Sequence, residues 1–127
     1  MILAAVGLVL ITSSALAELF MHNRSVVDLR WGNEGDGFEI RYVDPRSGLP
    51  VAPGTLLFHG AWTAGGYIYG TAYVFSSSCG PAGYRVTGYA TGNDFYLEGA
   101  APIRDANCRV VRYEWNGNAY LYFSAMR

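Results

Sequence analysis

The sequence contains no lysine and carries little charge of either sign. All nine basic residues are arginines, ten residues are acidic, and the formal net charge is −1. Proteins that bind nucleic acid or an anionic membrane by electrostatic attraction carry an excess of positive charge, so the composition gives no support for either partner. Intrinsic disorder is excluded because 51% of the residues are hydrophobic, which is far above the content of chains that stay unfolded.

Residues suited to metal or catalytic chemistry are also scarce. The chain has two cysteines and two histidines, His22 and His59, which are too few at these spacings for a zinc site. Nucleotide-binding, metalloprotease and serine-hydrolase motifs are absent from the sequence. A carboxylate pair such as Asp94 and Glu98 could form a hydrolase dyad, but nothing selects one pair over another. We therefore predict no catalytic residue, no metal site and no cofactor.

One long apolar run is present, at the N-terminus. Residues 2–11 are continuously apolar, residues 12–14 are polar, and Ala15-Leu16-Ala17 follows. An apolar run followed by a small-x-small site predicts a signal peptide over residues 1–17, cleaved after Ala17 to leave one domain over residues 18–127. The alternative is a retained membrane anchor, but about 16 apolar or small residues fall short of the ~20 that span a bilayer. The predicted location is therefore periplasmic or secreted.

Export permits a disulfide bond, and both cysteines lie in the predicted mature chain. Cys79 and Cys108 each border a turn-rich segment. A bond between them would close a loop of about 30 residues and stabilise the fold by roughly 3–4 kcal/mol in the chain-entropy model. The alternatives are a catalytic thiol, which needs a basic partner, or a metal pair. We predict the structural disulfide from the compartment.

Short runs rich in β-branched and aromatic residues recur between glycine, proline, asparagine and aspartate. They predict strands over residues 25–31, 37–43, 55–62, 67–76, 84–89, 94–99, 108–115 and 119–124. No segment has the 3.6-residue apolar period of an amphipathic helix. The fold class predicted is all-β, as a small antiparallel barrel or sandwich of about eight short strands.

The first two predicted strands also predict their own register. If Trp31 pairs with Phe38, then Leu29 lies opposite Ile40 and Val27 opposite Tyr42 on one face. The other face then pairs Arg30 with Glu39 and Asp28 with Arg41, two pairs of opposite charge. A slip by one residue would lose both the apolar match and the charge match.

The strand over residues 67–76 carries aromatic residues on one face and small or apolar residues on the other. It is therefore either central and covered on both sides, or half exposed, and Gly70 in its middle predicts a bulge or a bend. Exposed aromatic side chains on a rigid sheet are good binding anchors for proteins or glycans. The candidate binding residues are Trp62, Tyr67, Tyr69 and Tyr89, and the alternative is ordinary core packing.

The chain resembles an uncharacterised family of small exported bacterial domains, which occur alone or appended to caspase-like proteins. The resemblance is carried by residues 22–25, 40–49, 54–58, 69–75, 79–81, 84–86, 97–102 and 108–110. The chain departs from the family pattern at Phe20-Met21, where a nearby tryptophan is expected, and at Arg24, where glycine is expected. The family has no known activity, so the resemblance implies a bacterial, exported, disulfide-bonded domain and no functional residue.

These features predict a non-enzymatic, exported binding domain whose partner is a protein or a glycan. Two alternatives stay open. The first is a periplasmic protein inhibitor of a lysozyme-like hydrolase, an analogy at the level of fold. The second is a carbohydrate-active enzyme whose site is not recognisable in the sequence.

Overall fold

The computed structural model describes residues 18–32, 35 and 37–126. The strands are β1 (Glu18–His22), β2 (Ser25–Trp31), β3 (Gly37–Asp44), β4 (Leu56–Trp62), β5 (Tyr67–Ser76), β6 (Gly80–Thr91), β7 (Asp94–Glu98), β8 (Ala101–Arg104), β9 (Val110–Glu114) and β10 (Tyr120–Ala125). Two 3-10 turns, Ala64–Gly66 and Gly117–Ala119, precede β5 and β10. The predicted signal peptide lies outside the described residues. Within the described ranges, no helix has the length and apolarity needed to cross a bilayer.

Eight strands close into an antiparallel barrel in the order β1-β10-β7-β6-β5-β4-β3-β2, and β8 pairs with β9 outside it. The predicted all-β fold is confirmed, and the barrel is the correct one of its two predicted forms. The predicted strand over residues 108–115 forms the outer hairpin, and β1 takes the eighth place in the barrel. Both β1 and β8 were missed, because β1 has a single buried residue and so no alternating apolar pattern, and β8 contains Pro102, which favours turns over strands.

The register predicted for β2 and β3 is confirmed at all five positions, from Trp31 opposite Phe38 to Val27 opposite Tyr42. The ion pairs themselves run along the strands. Arg30 Nε lies 3.1 Å from Asp28 Oδ2, and Arg41 pairs with Glu39. Each arginine therefore has two acidic neighbours, one two residues away on its own strand and one directly opposite on the paired strand.

The barrel interior is filled by large apolar side chains, with Phe58, Phe95 and Phe123 fully buried. Gly70 lies opposite Gly60, and the register runs through both without a shift. A side chain on Gly70 would overlap the carbonyl of His59 and the ring of Phe58. The reason for glycine is therefore a close approach of two strands around a phenylalanine ring, and the predicted bulge is wrong.

The predicted disulfide is confirmed. Cys79, in the turn between β5 and β6, is bonded to Cys108, in the turn between β8 and β9, with a Cα–Cα distance of 5.4 Å. Arg104 strengthens the same junction because its guanidinium donates to the carbonyl of Gly80 at 2.8 Å. The disulfide therefore fixes the outer hairpin to the barrel wall and is not part of the barrel interior.

Candidate functional site

Four neighbouring barrel strands carry a row of tyrosines on their outer face. Tyr67 on β5 lies opposite Tyr89 on β6, Tyr89 lies opposite Tyr96 on β7, and Tyr96 lies opposite Tyr122 on β10. Their exposed fractions are 37%, 51%, 37% and 54% in that order. The row exists because strict alternation sends Ile68, Leu97 and Phe123 inward and their neighbours outward.

A second row lies two residues along each strand on the same face. Tyr69 lies opposite Thr87, Thr87 opposite Glu98, and Glu98 opposite Tyr120. The two rows together form what we call the tyrosine surface: Tyr67, Tyr69, Thr87, Tyr89, Tyr96, Glu98, Tyr120 and Tyr122. Glu98 is its charged member.

Ring contacts are present at two corners of this surface. The ring centroids of Tyr67 and Tyr89 are 5.4 Å apart, and those of Tyr67 and Tyr69 are 5.9 Å apart. At the opposite corner, Trp115, which follows the outer hairpin, lies 5.8 Å from Tyr120. Because the side chains stand on paired strands and contact one another, a partner would have little conformational freedom to remove on binding.

A hydrogen-bond network lies at the β10 border of the surface. The hydroxyl of Tyr122 donates to Asp94 Oδ2 at 2.8 Å, and the backbone amide of Ala125 donates to Asp94 Oδ1 at 2.8 Å. The bond to the Asp94 carboxylate raises the pKa of the Tyr122 phenol. Tyr122 is therefore held as a neutral phenol, and its hydroxyl is already hydrogen-bonded to Asp94 on the same sheet.

Three of the four residues predicted from the sequence share this surface, namely Tyr67, Tyr69 and Tyr89. Trp62 does not, because it lies opposite Ile68 and so faces the barrel interior. Its ring is 5.8 Å from Trp31, 5.9 Å from Phe38 and 5.3 Å from Phe95, measured between centroids. These rings pack together at one end of the barrel, and Trp62 is partly buried there against the core.

Sequence reasoning missed Tyr96, Tyr120, Tyr122 and Trp115. The alternation of Phe95 and Leu97 with Tyr96, and of Leu121 and Phe123 with the two later tyrosines, is the signal that assigns these tyrosines to the outer face. This alternation does not predict the order of the strands around the barrel.

The remaining residues singled out in the sequence lie apart from one another. His59 is exposed on β4 with its Nε2 3.1 Å from the hydroxyl of Tyr73. Asp94 and Glu98 lie four residues apart on one strand, so their Cα atoms are about 13 Å apart, and the Asp94 carboxylate accepts hydrogen bonds from Tyr122 and Ala125. No group of three or more potential metal ligands occurs in the part of the chain that the structure describes.

Comparison with known proteins finds no matching family model, curated protein or solved structure. The functional interpretation of the tyrosine surface therefore rests on its geometry and chemistry.

Proposed function

We propose that the protein is an exported, non-catalytic domain that binds a protein partner on the tyrosine surface. The observation that carries this proposal is the unbroken row Tyr67, Tyr89, Tyr96 and Tyr122, four exposed rings placed side by side by strand register. A sheet that only had to be soluble would carry charged or small polar residues at these positions.

The chemistry of the surface matches the centre of a protein–protein interface. Tyrosine is enriched in such centres, and charged residues are depleted there. Four strands are about 14 Å across, so the surface is the size of an energetic centre within a larger contact. Polar residues border it, including Arg85 and Thr71 on one side and Thr91 on the other, as in the rim of an interface.

The charge of the surface points to the character of the partner. Glu98 contributes a carboxylate between Thr87 and Tyr120, and the faces of tyrosine rings attract cations. A partner that places an arginine or lysine over Glu98 would pair with this carboxylate and contact the faces of the neighbouring tyrosine rings. We therefore expect an apolar docking face with at least one basic side chain.

Two features support export. The apolar N-terminal run has the form of a signal peptide, and the Cys79–Cys108 bond is compatible with an oxidising compartment. Both agree with the bacterial, exported family that the sequence resembles.

Site-specific photo-crosslinking tests both whether a protein partner exists and whether it binds at the tyrosine surface. The photoreactive residue p-benzoylphenylalanine replaces Tyr89 or Tyr96 in the full chain, and replaces Val43, which is exposed on β3 on the opposite wall, as the control. In the source cells we expect one protein to crosslink from positions 89 and 96 and not from position 43. The captured protein is then purified and titrated against the uncrosslinked domain.

Each outcome decides between the candidates. A purified protein that binds the domain supports the proposal, and if it is a lysozyme-like hydrolase that loses activity, the inhibitor alternative becomes the specific function. Equal crosslinking from all three positions contradicts a defined docking surface. Binding to an insoluble polysaccharide that is lost in Tyr96→Ala would replace the protein partner with a glycan.

A further inference from the structure

The two ends of the barrel differ. At one end, Trp31, Phe38 and Trp62 pack ring against ring. The other end, where β1 and β3 finish, holds a cavity of about 840 Å³. Eight-stranded barrels are wide enough to hold one small ligand, and barrel mouths are common ligand sites.

Arg46 is the one charged side chain among the described residues that line this cavity. Arg46 and His22 line it together with the phenols of Tyr42 and Tyr84, and no acidic residue is among the described residues that line it. The hydroxyl of Tyr84 donates to the carbonyl of Asn118, so its oxygen is held at the cavity wall. Arg46 is close enough to act on both His22 and Tyr42 electrostatically.

One nitrogen of the Arg46 side chain lacks a hydrogen-bond partner among the described residues. Its Nε is buried and makes no hydrogen bond within the described part of the chain, and it forms no ion pair with a carboxylate there. Its backbone amide is held by Ser25 Oγ at 2.8 Å, which fixes the base of the side chain. Arg46 lines the cavity, and a carboxylate is the acceptor that a guanidinium binds best.

One part of the remaining wall is apolar, beside polar side chains such as Asn23, Asn118 and Ser124. Leu49, Leu57, Val74, Phe75 and Leu121 all line it, and the ring of Phe75 meets that of Tyr42 edge-on at 6.0 Å. A ligand that satisfied Arg46 would therefore place its remaining atoms against hydrocarbon. A small inorganic anion would leave this apolar wall uncovered.

We propose that the open end of the barrel binds a small organic anion, a carboxylate on an apolar chain or ring, with the carboxylate on Arg46 and the apolar body against Leu49 and Phe75. This site adjoins the tyrosine surface, because Tyr120 and Tyr122 line the cavity as well, but Arg46, Leu49 and Phe75 lie outside that surface and the proposal does not depend on the protein partner.

Calorimetric titration with matched probes tests the site. Octanoate carries both parts of the ligand, octanol has the chain without the charge, and acetate has the charge without the chain. We expect octanoate to bind more tightly than either. Arg46→Gln should weaken octanoate by about tenfold or more and leave octanol unchanged, whereas Arg46→Lys should retain part of the affinity. Arg85→Gln, exposed on β6, is the matched control and should bind octanoate like the wild type.

A measurement on the unaltered protein makes the test independent of how the variants fold. Octanoate should shift the backbone amide resonances of Leu49, Val74 and Leu121 and leave that of Trp62 unmoved. Equal affinity for octanoate and octanol, shifts at Trp62 instead of Leu49, or no binding at millimolar octanoate would each overturn the proposal. Tyr89→Ala should leave octanoate binding intact, which separates a failure here from a failure of the tyrosine surface.

Discussion

The turn between β1 and β2 places two residues with side chains in the left-handed region of backbone space. Asn23 has φ 47° and Arg24 has φ 67°, and they are the two central residues of a hairpin because His22 pairs with Ser25. Such turns require positive φ at both positions, where asparagine is tolerated and glycine is preferred second. Glycine is the residue that we expect at position 24, and the positive φ there is a conformation that glycine adopts without strain.

Arg24→Gly should therefore stabilise the protein. Glycine removes the strain of a side chain at positive φ, and we expect the free energy of unfolding to rise by about 1 kcal/mol. Urea denaturation measures the change. Arg85→Gly, in the extended backbone of β6, is the control and should lower stability instead by about 0.5–1 kcal/mol. If both variants lose stability alike, the strain at Arg24 is not real.

Two buried phenols make stability depend on alkaline pH. Burial raises the pKa of Tyr42 to about 12, despite the opposing charge of Arg46, and burial with the neighbouring Tyr42 raises that of Tyr84 to about 12. In the unfolded chain both ionise near 10.0. Their contribution to stability is thus complete below pH 10 and is lost as pH rises to about 12, because the unfolded state releases its protons first.

Tyr42→Phe tests this dependence. The variant should lose less stability than the wild type between pH 10 and 12, because a group that ionises more readily in the unfolded state has been removed. Thermal unfolding at a series of pH values gives the measurement. Tyr113→Phe, at an exposed position on β9, is the control, and its stability should fall with pH as that of the wild type does. If the stability of Tyr42→Phe falls with pH as steeply as that of the wild type, the proposed role of Tyr42 is contradicted.

At the scale of elements, the outer hairpin of β8 and β9 depends on the disulfide. It lies outside the barrel, and Cys108 itself has φ 68°. Replacing both cysteines by serine, or reducing the bond, should lower the free energy of unfolding by about 3 kcal/mol. Far-UV circular dichroism should still report a barrel, because the eight barrel strands do not need the bond to pair. A reductant that leaves the urea midpoint unchanged would show that the bond does not stabilise the fold.

The β2–β3 pair shows why some elements could be predicted in detail. Its apolar face and its charged face each specify a register, and the two agree, so one alignment satisfies both. β1 has no such double constraint: Phe20 is its one buried residue. β8 was missed for another reason. It contains Pro102, and a proline in an edge strand predicts a turn unless the partner strand is known.

At the scale of the whole molecule, closure joins the first and the last of the described strands. β1 pairs with β10 through Phe20 opposite Ala125 and Met21 opposite Ser124, and the ring of His22 stacks on Phe123 with centroids 4.6 Å apart. Burial lowers the pKa of His22, against its hydrogen bond to the Tyr122 carbonyl, so the neutral ring is favoured at this seam. Local sequence patterns do not predict the pairing of β1 with β10, because the two strands are far apart in the sequence.

Closure is also why the tyrosine surface was only half predictable. Tyr67, Tyr69 and Tyr89 lie on consecutive strands, and neighbouring strands usually pair. Tyr122 reaches the same row only because β10 pairs with β7, after the outer hairpin has left the barrel. Trp62 was assigned to the surface in error because its face depends on the partner residue Ile68.

The most direct test of the central claim is calorimetric titration of the purified crosslinked partner against wild-type and variant domains. Tyr89→Ala and Tyr96→Ala, in the middle of the row, should each weaken binding by about tenfold or more, while Val43→Ala on the opposite wall should bind like the wild type. If both tyrosine variants bind with unchanged affinity, the tyrosine surface is not the docking site.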